Sequence, residues 1–189
     1  MSMVYRKHLY PPGFLILFLP ITLFSQLPND DCLSSFFIRD VEEFCSDPGE
    51  FTNVNAEASI RPEASCWREE DLESDVWFSF APGEPGVFIQ LFGEGSNTGE
   101  TIDNSAIAIY QGTCSALDEI TCANVSDARA DIIEVTLTDL VIGRIYYVRV
   151  SSSLATSGTF QMCIDQFRPV RSPEADCGKA VVLCDKSSF

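Results

Sequence analysis

The chain has 189 residues, and 28 acidic against 12 basic side chains give it a formal net charge of −16. So acidic a surface repels phosphate backbones, which argues against nucleic acid as a partner. Its aromatic content and many β-branched residues argue against disorder.

The first element in chain order is an export signal. Arg6 and Lys7 supply a basic start, and "GFLILFLPITLF" (Gly13 to Phe24) supplies an apolar stretch of leader length. It is too short to span a bilayer as a helix, and Pro20 interrupts it. Cleavage is expected near Gln26, so residues 1–26 read as the leader, and no later stretch is apolar for long enough to be a membrane span. Two of the 12 basic residues and none of the 28 acidic ones lie in the leader, which leaves 28 against 10, or −18. His8 also falls there, and no histidine follows it. Ser-His-Asp and Cys-His catalysis and every metal site built on imidazole are thereby excluded from the rest of the chain. Lys179 and Lys186 are the only lysines beyond the leader, which argues against a lysine nucleophile.

Eight cysteines follow: Cys32, Cys45, Cys66, Cys114, Cys122, Cys163, Cys177 and Cys184. An even number beyond an export signal indicates disulfides, and the lack of any Cys-x-x-Cys pair argues against zinc. Cys114 and Cys122 flank "CSALDEITC", read as a short loop, and are expected to pair. Cys32 with Cys45 and Cys66 with Cys163 complete the expected set, leaving Cys177 and Cys184 to a separate unit.

Residues 27–167 read as one domain. "DVWFSF" puts Val76, Phe78 and Phe80 on one face of a strand and Trp77 and Ser79 on the other. "GVFIQLFG", "NSAIAIYQG", "DIIEVTLTDL", "RIYYVRVSSS" and "GTFQMCIDQF" follow, separated by Gly, Asn, Ser and Asp clusters. Regular short strands between turn signals predict an all-β, antiparallel β-sandwich or jelly roll. Asp139 to Gly143 reads as a turn in which Gly143 takes a positive φ. "SALDE" and the region after Cys32 are the places for short helical turns. Beyond the domain, "RPVRSPEA" (168–175) reads as a linker. "DCGKAVVLCDKSSF" (176–189) reads as the opening of a second cysteine-bearing domain, so the chain is expected to be the first part of a longer protein.

"D-V-W-F-x-F", "DNSAIAIYQGTC", "LDEITC" and "LVIGRIYYVRV" with "SGTFQMCI" together resemble the pre-peptidase C-terminal (PPC) type of β-sandwich. The likeness is greatest to cysteine-containing variants in large secreted bacterial cell-surface proteins, such as those of type IX secretion and gliding motility. Many relatives carry an Asp-rich turn after the second loop cysteine; "CANVSDARADI" does not match it, because Asp127 and Asp131 stand too far apart. The resemblance implies a non-catalytic, disulfide-stapled module attached to other domains.

"REEDLESD" (68–75) packs five carboxylates into eight residues. With Asp103, Asp71 and Asp75 are candidate ligands for a structural calcium ion, which takes ~6–8 oxygen ligands in irregular geometry. A solvated acidic loop is the plainer reading of the same residues. Paired carboxylates for glycoside hydrolysis lack a supporting substrate motif. "GEGSNTG" misses the dinucleotide-loop spacing, and no "G-x-S-x-G" elbow occurs. Trp77 is expected to be buried, while Tyr147 and Arg149 stand on the face opposite Tyr146, Val148 and Val150 and are candidates for contacting a partner. The function expected is a secreted binding, adhesion or spacer module of a cell-surface protein. An extracellular protein or glycan and further domains of the same polypeptide would be its partners. The alternative is an accessory domain of a secreted hydrolase.

Overall fold

The computed structural model describes residues 27–59, 63–67, 74–93, 101–124, 132–152 and 156–169. The expected leader (1–26), second domain (176–189) and most of the linker lie outside these residues, as does Asp71. Among the described residues, a 3-10 turn at Cys32–Ser34 is followed by ten strands. They are β1 Phe36–Ile38, β2 Phe44–Cys45, β3 Phe51–Thr52, β4 Ser74–Phe80, β5 Gly86–Phe92, β6 Ala106–Thr113, β7 Ala116–Asn124, β8 Ile132–Leu137, β9 Tyr146–Ser152 and β10 Thr159–Phe167. One sheet, A, has the order β1-β4-β9-β6-β7, and the other, B, has the order β2-β10-β5-β8 with β3 also on β10. All strand pairs are antiparallel except β1, which runs parallel to β4.

The two sheets face each other because alternate residues of every long strand are apolar. Val76, Phe78 and Phe80 of β4, Ile107 and Ile109 of β6, and Tyr146, Val148 and Val150 of β9 point inward from sheet A. Val87, Ile89 and Leu91 of β5, Ile133, Val135 and Leu137 of β8, and Phe160, Met162 and Ile164 of β10 meet them from sheet B. This is the inward-facing alternation of a sandwich core. The expected all-β sandwich is what the chain forms.

The β8–β9 turn forms as expected, with Gly143 at φ 77° and Asp139 at φ 61°. The buried Tyr146 holds it by accepting the Val141 N–H at 2.9 Å, and Gly143 N–H donates to the Pro82 carbonyl at 2.9 Å. The region after Cys32 is the helical turn anticipated there, with Asp31 Oδ1 capping the Leu33 N–H at 2.8 Å.

"SALDE" differs from expectation: it is the start of strand β7. The β6–β7 connection is a tight turn between Thr113 and Ala116, which face each other across the ladder. Gly112 sits at φ 109°, where a Cβ would collide with the Ala116 carbonyl oxygen. Cys122 therefore lies six residues up the strand from Ala116, opposite Ala108. That separation is about 20 Å at roughly 3.3 Å per residue, far beyond the Cα spacing a disulfide allows.

All three expected pairings are corrected, the other two because of the side of the sandwich on which each cysteine lies. The bonds formed are Cys32–Cys114, Cys45–Cys163 and Cys66–Cys122, with Cα–Cα distances of 5.6, 4.0 and 5.9 Å. Cys32, Cys66, Cys114 and Cys122 belong to the outer side of sheet A, where they border one apolar cluster or bond into it. Cys163 alternates with the inward Met162 and Ile164, so it faces outward from sheet B, directly across from Cys45. Pairing Cys32 with Cys45, or Cys66 with Cys163, would have to cross a core about 10 Å thick.

Candidate functional site

Two places on the sandwich gather aromatic side chains with polar groups. The first is the outer face of sheet A. Strand alternation sends Asp75 and Trp77 of β4, Ala108 and Tyr110 of β6, and Tyr147 and Arg149 of β9 to this side. The chain then lays two segments over them. The first segment runs into β1: Trp77 N–H donates to the Asn29 carbonyl at 2.7 Å, and Asn29 Nδ2 donates to the Trp77 carbonyl at 3.2 Å. Cys32–Cys114 ties that segment to the β6–β7 turn. The second segment carries Ser59, Ala64, Cys66 and Trp67. Cys66–Cys122 fastens it to β7, where Ser65 N–H and Oγ donate to the Glu119 carboxylate at 2.8 and 2.5 Å.

Arg149 lies beneath this cover with 0 % of its surface exposed. Its guanidinium sits 4.5 Å from the Trp67 ring centroid and 5.3 Å from that of Trp77, within cation–π range. One terminal nitrogen donates both to Asp75 Oδ2 and to the Ser59 carbonyl at 2.8 Å. The other Asp75 oxygen accepts Ser59 Oγ–H at 2.6 Å, and Ser59 N–H donates to Oδ2 at 2.7 Å. Trp77 Nε1–H completes the set by donating to Ser59 Oγ at 2.9 Å. Tyr110 packs against Trp77 with ring centroids 5.8 Å apart. Burial pushes its phenol up to about 12, against the partly opposing pull of the Arg149 charge.

This geometry corrects one expectation. Arg149 cannot contact a partner, because it is enclosed; Tyr147 beside it is half-buried. Trp77 is 1 % exposed, in keeping with the structural role expected of it. For the calcium candidates, Asp75 has both oxygens committed to Arg149 and Ser59, while Asp103 is exposed and accepts its neighbour Asn104 N–H at 2.7 Å. Among the described residues, no three His, Cys, Asp or Glu side chains stand close enough to hold a metal.

The second place is open. At one side of the sandwich the edge strand of sheet A, β1, diverges from β3 on sheet B. A groove of about 450 Å³ lies there, lined by Leu27, Pro28, Phe36, Phe37, Glu50 and Phe51 among others. Phe36 and Phe51 form its floor with ring centroids 5.3 Å apart, and Phe51 rests edge-on against Phe78 of the core at 4.7 Å. Phe36 and Phe37 remain 43 % and 46 % exposed. Glu50 stands at the rim, where its carboxylate accepts the Asp47 N–H at 2.8 Å. Sequence reading missed the groove, although "SSFFIRD" carries a signal for it. Two adjacent phenylalanines in a strand point to opposite faces, and both cannot enter one core.

No protein-family model and no curated protein matches the chain. Among solved structures it is similar to the pre-peptidase C-terminal domain of a collagenase from Bacillus anthracis, with 10% sequence identity and a TM-score of 0.42 over 69% of this chain and 94% of that one.

Proposed function

We propose that the chain is a secreted, non-catalytic β-sandwich module that binds an extracellular partner, with the β1–β3 groove as its binding surface, inside a larger cell-surface protein. The contrast between the two aromatic sites carries this reading. The charged cluster is enclosed and every charge in it is engaged, whereas the apolar groove is open and has the size of a ligand pocket. Three disulfides support an extracellular setting. The groove offers a single carboxylate, Glu50, and no nucleophile–base pair.

The test is an amide-resolved NMR titration of the leader-free chain against peptide and oligosaccharide mixtures, with product analysis of the same samples. Shifts centred on Phe36, Phe37 and Phe51 without turnover are the expected result. Turnover, or shifts confined to other surfaces, would overturn the reading. The alternative role as an accessory domain of a secreted hydrolase rests on the motif resemblance alone. It changes the neighbour this module serves rather than what the module does.

A further inference from the structure

We infer that the groove takes an extended peptide with apolar anchors and basic flanks, added as a new strand along the outer edge of β1. The inference rests on the groove being the binding surface and names the class of its occupant.

Three observations carry it. First, β1 ends sheet A, and among the described residues no strand pairs with its outer side. Half of the backbone N–H and C=O groups of such a strand point away from its neighbour, which is the template used in strand addition. Second, apart from its three-residue length the edge is not blunted. Proteins usually protect an open edge with lysine, proline or a bulge; here the exposed strand residues are Phe36 and Phe37, and Leu33 just before them is 86 % exposed. A peptide strand alternates its side chains, so one set would enter the groove over Phe36 and Phe51 while the other met the rim.

Third, the charge of the chain segment around the groove selects its occupant. Residues 27–57 hold eight acidic side chains (Asp30, Asp31, Asp40, Glu42, Glu43, Asp47, Glu50 and Glu57) and one basic one, Arg39. Glu50 lines the groove itself. This acidity disfavours a second copy of the chain, which would bring two like-charged segments together. It favours lysine or arginine on both sides of the anchoring residues. Both tryptophans described here sit in or against the enclosed cluster, leaving no indole platform at the groove for a glycan.

The test uses the leader-free chain and a fluorescein-labelled heptapeptide that alternates lysine with valine and phenylalanine. Anisotropy at low salt is expected to report binding that weakens at least five-fold with Glu50→Lys or Phe37→Ser. Replacing the lysines by glutamate is expected to weaken it at least ten-fold. Two further peptides, N-methylated at alternate amides along one edge or the other, examine the backbone pairing. One of the two should fail to bind, because only one edge of the peptide pairs with β1.

Equal binding of the glutamate peptide, or full retention by both methylated peptides, would overturn the inference. If the glutamate peptide still moves the Phe36, Phe37 and Phe51 amides, the groove remains a binding surface and only the basic strand is rejected. If no peptide moves them, the binding reading falls as well.

Discussion

The two aromatic sites are built from similar residues and end in opposite states. On the outer face of sheet A, Trp67, Trp77 and Tyr110 surround an arginine and an aspartate, and two disulfide-tied segments close over them. At the β1–β3 groove, Phe36 and Phe51 pack on Phe78 at its inner side, and no segment of the described residues covers them or Phe37. An isolated charge brought out of water costs several kcal/mol, and burial is tolerated when the charge is paired and its hydrogen bonds are met. Asp75 pairs the Arg149 charge and, with Ser59, takes the hydrogen bonds of one terminal nitrogen, while Arg149 Nε is buried without a hydrogen-bond partner. Aromatic residues alone therefore do not mark a binding site; the state of the polar groups among them and the cover above them separate scaffold from surface.

The largest expected effect breaks the enclosed side. Arg149→Met leaves the buried Asp75 carboxyl without its counter-charge. Denaturant unfolding should show a loss of about 3–5 kcal/mol. Adding Asp75→Leu in the same chain should recover part of that loss, since no unpaired charged group then remains, although Ser59 loses its partners there. If the single variant unfolds at the wild-type midpoint, the cluster is not the structural element described here.

Next comes the cover. Replacing Cys66 and Cys122 together by serine removes the tie on the Ser59–Trp67 segment, with an expected cost of about 2–4 kcal/mol. Hydrogen exchange should accelerate at Ser59 and Ser65, whose amides donate to Asp75 and Glu119, before it does in β9. Uniform acceleration through both sheets would mean that the disulfide acts on the whole fold rather than on the cover.

The Tyr110 phenol gives a pH signature of the same enclosure. Its folded value is raised from 10 to about 12, so its contribution is fully present below pH 10. It is lost as the pH rises through 12, because the unfolded chain releases that proton more readily. On the order of 2 kcal/mol should disappear across this window. Tyr110→Phe should flatten the pH dependence of the unfolding midpoint over the same range, with phenolate absorbance as a direct reading.

Much of this fold was legible in the sequence, and the failures share a cause. Period-two patterns in "DVWFSF" and "RIYYVRV" assign the correct residues to the inner face, because the core imposes one chemistry on every strand. The same patterns say only that Trp77, Tyr147 and Arg149 face the other way. Whether that other side meets water or a covering segment depends on contacts between distant parts of the chain, such as Ser59 with Asp75. The disulfides failed similarly: spacing treats the seven residues between Cys114 and Cys122 as a short loop, whereas a tight turn at Cys114 makes all but the first of them strand. β7 escaped notice because "ALDEITCAN" is a half-exposed edge strand, polar enough to pass for a loop.

The smallest stability effect sharpens the comparison from the open side. Phe37 is 46 % exposed and lies outside the core cluster, so Phe37→Ser should cost under about 1 kcal/mol. An aromatic residue retained mainly for packing would cost more, as expected for a residue like Trp77 with its fully enclosed ring. The informative quantity is thus a ratio: a small change in the unfolding midpoint beside at least a five-fold loss of peptide binding. A large stability loss with unchanged binding would move Phe37 to the structural class. The groove would then be a fold feature like the enclosed face, left uncovered because β1 and β3 are too short to close it.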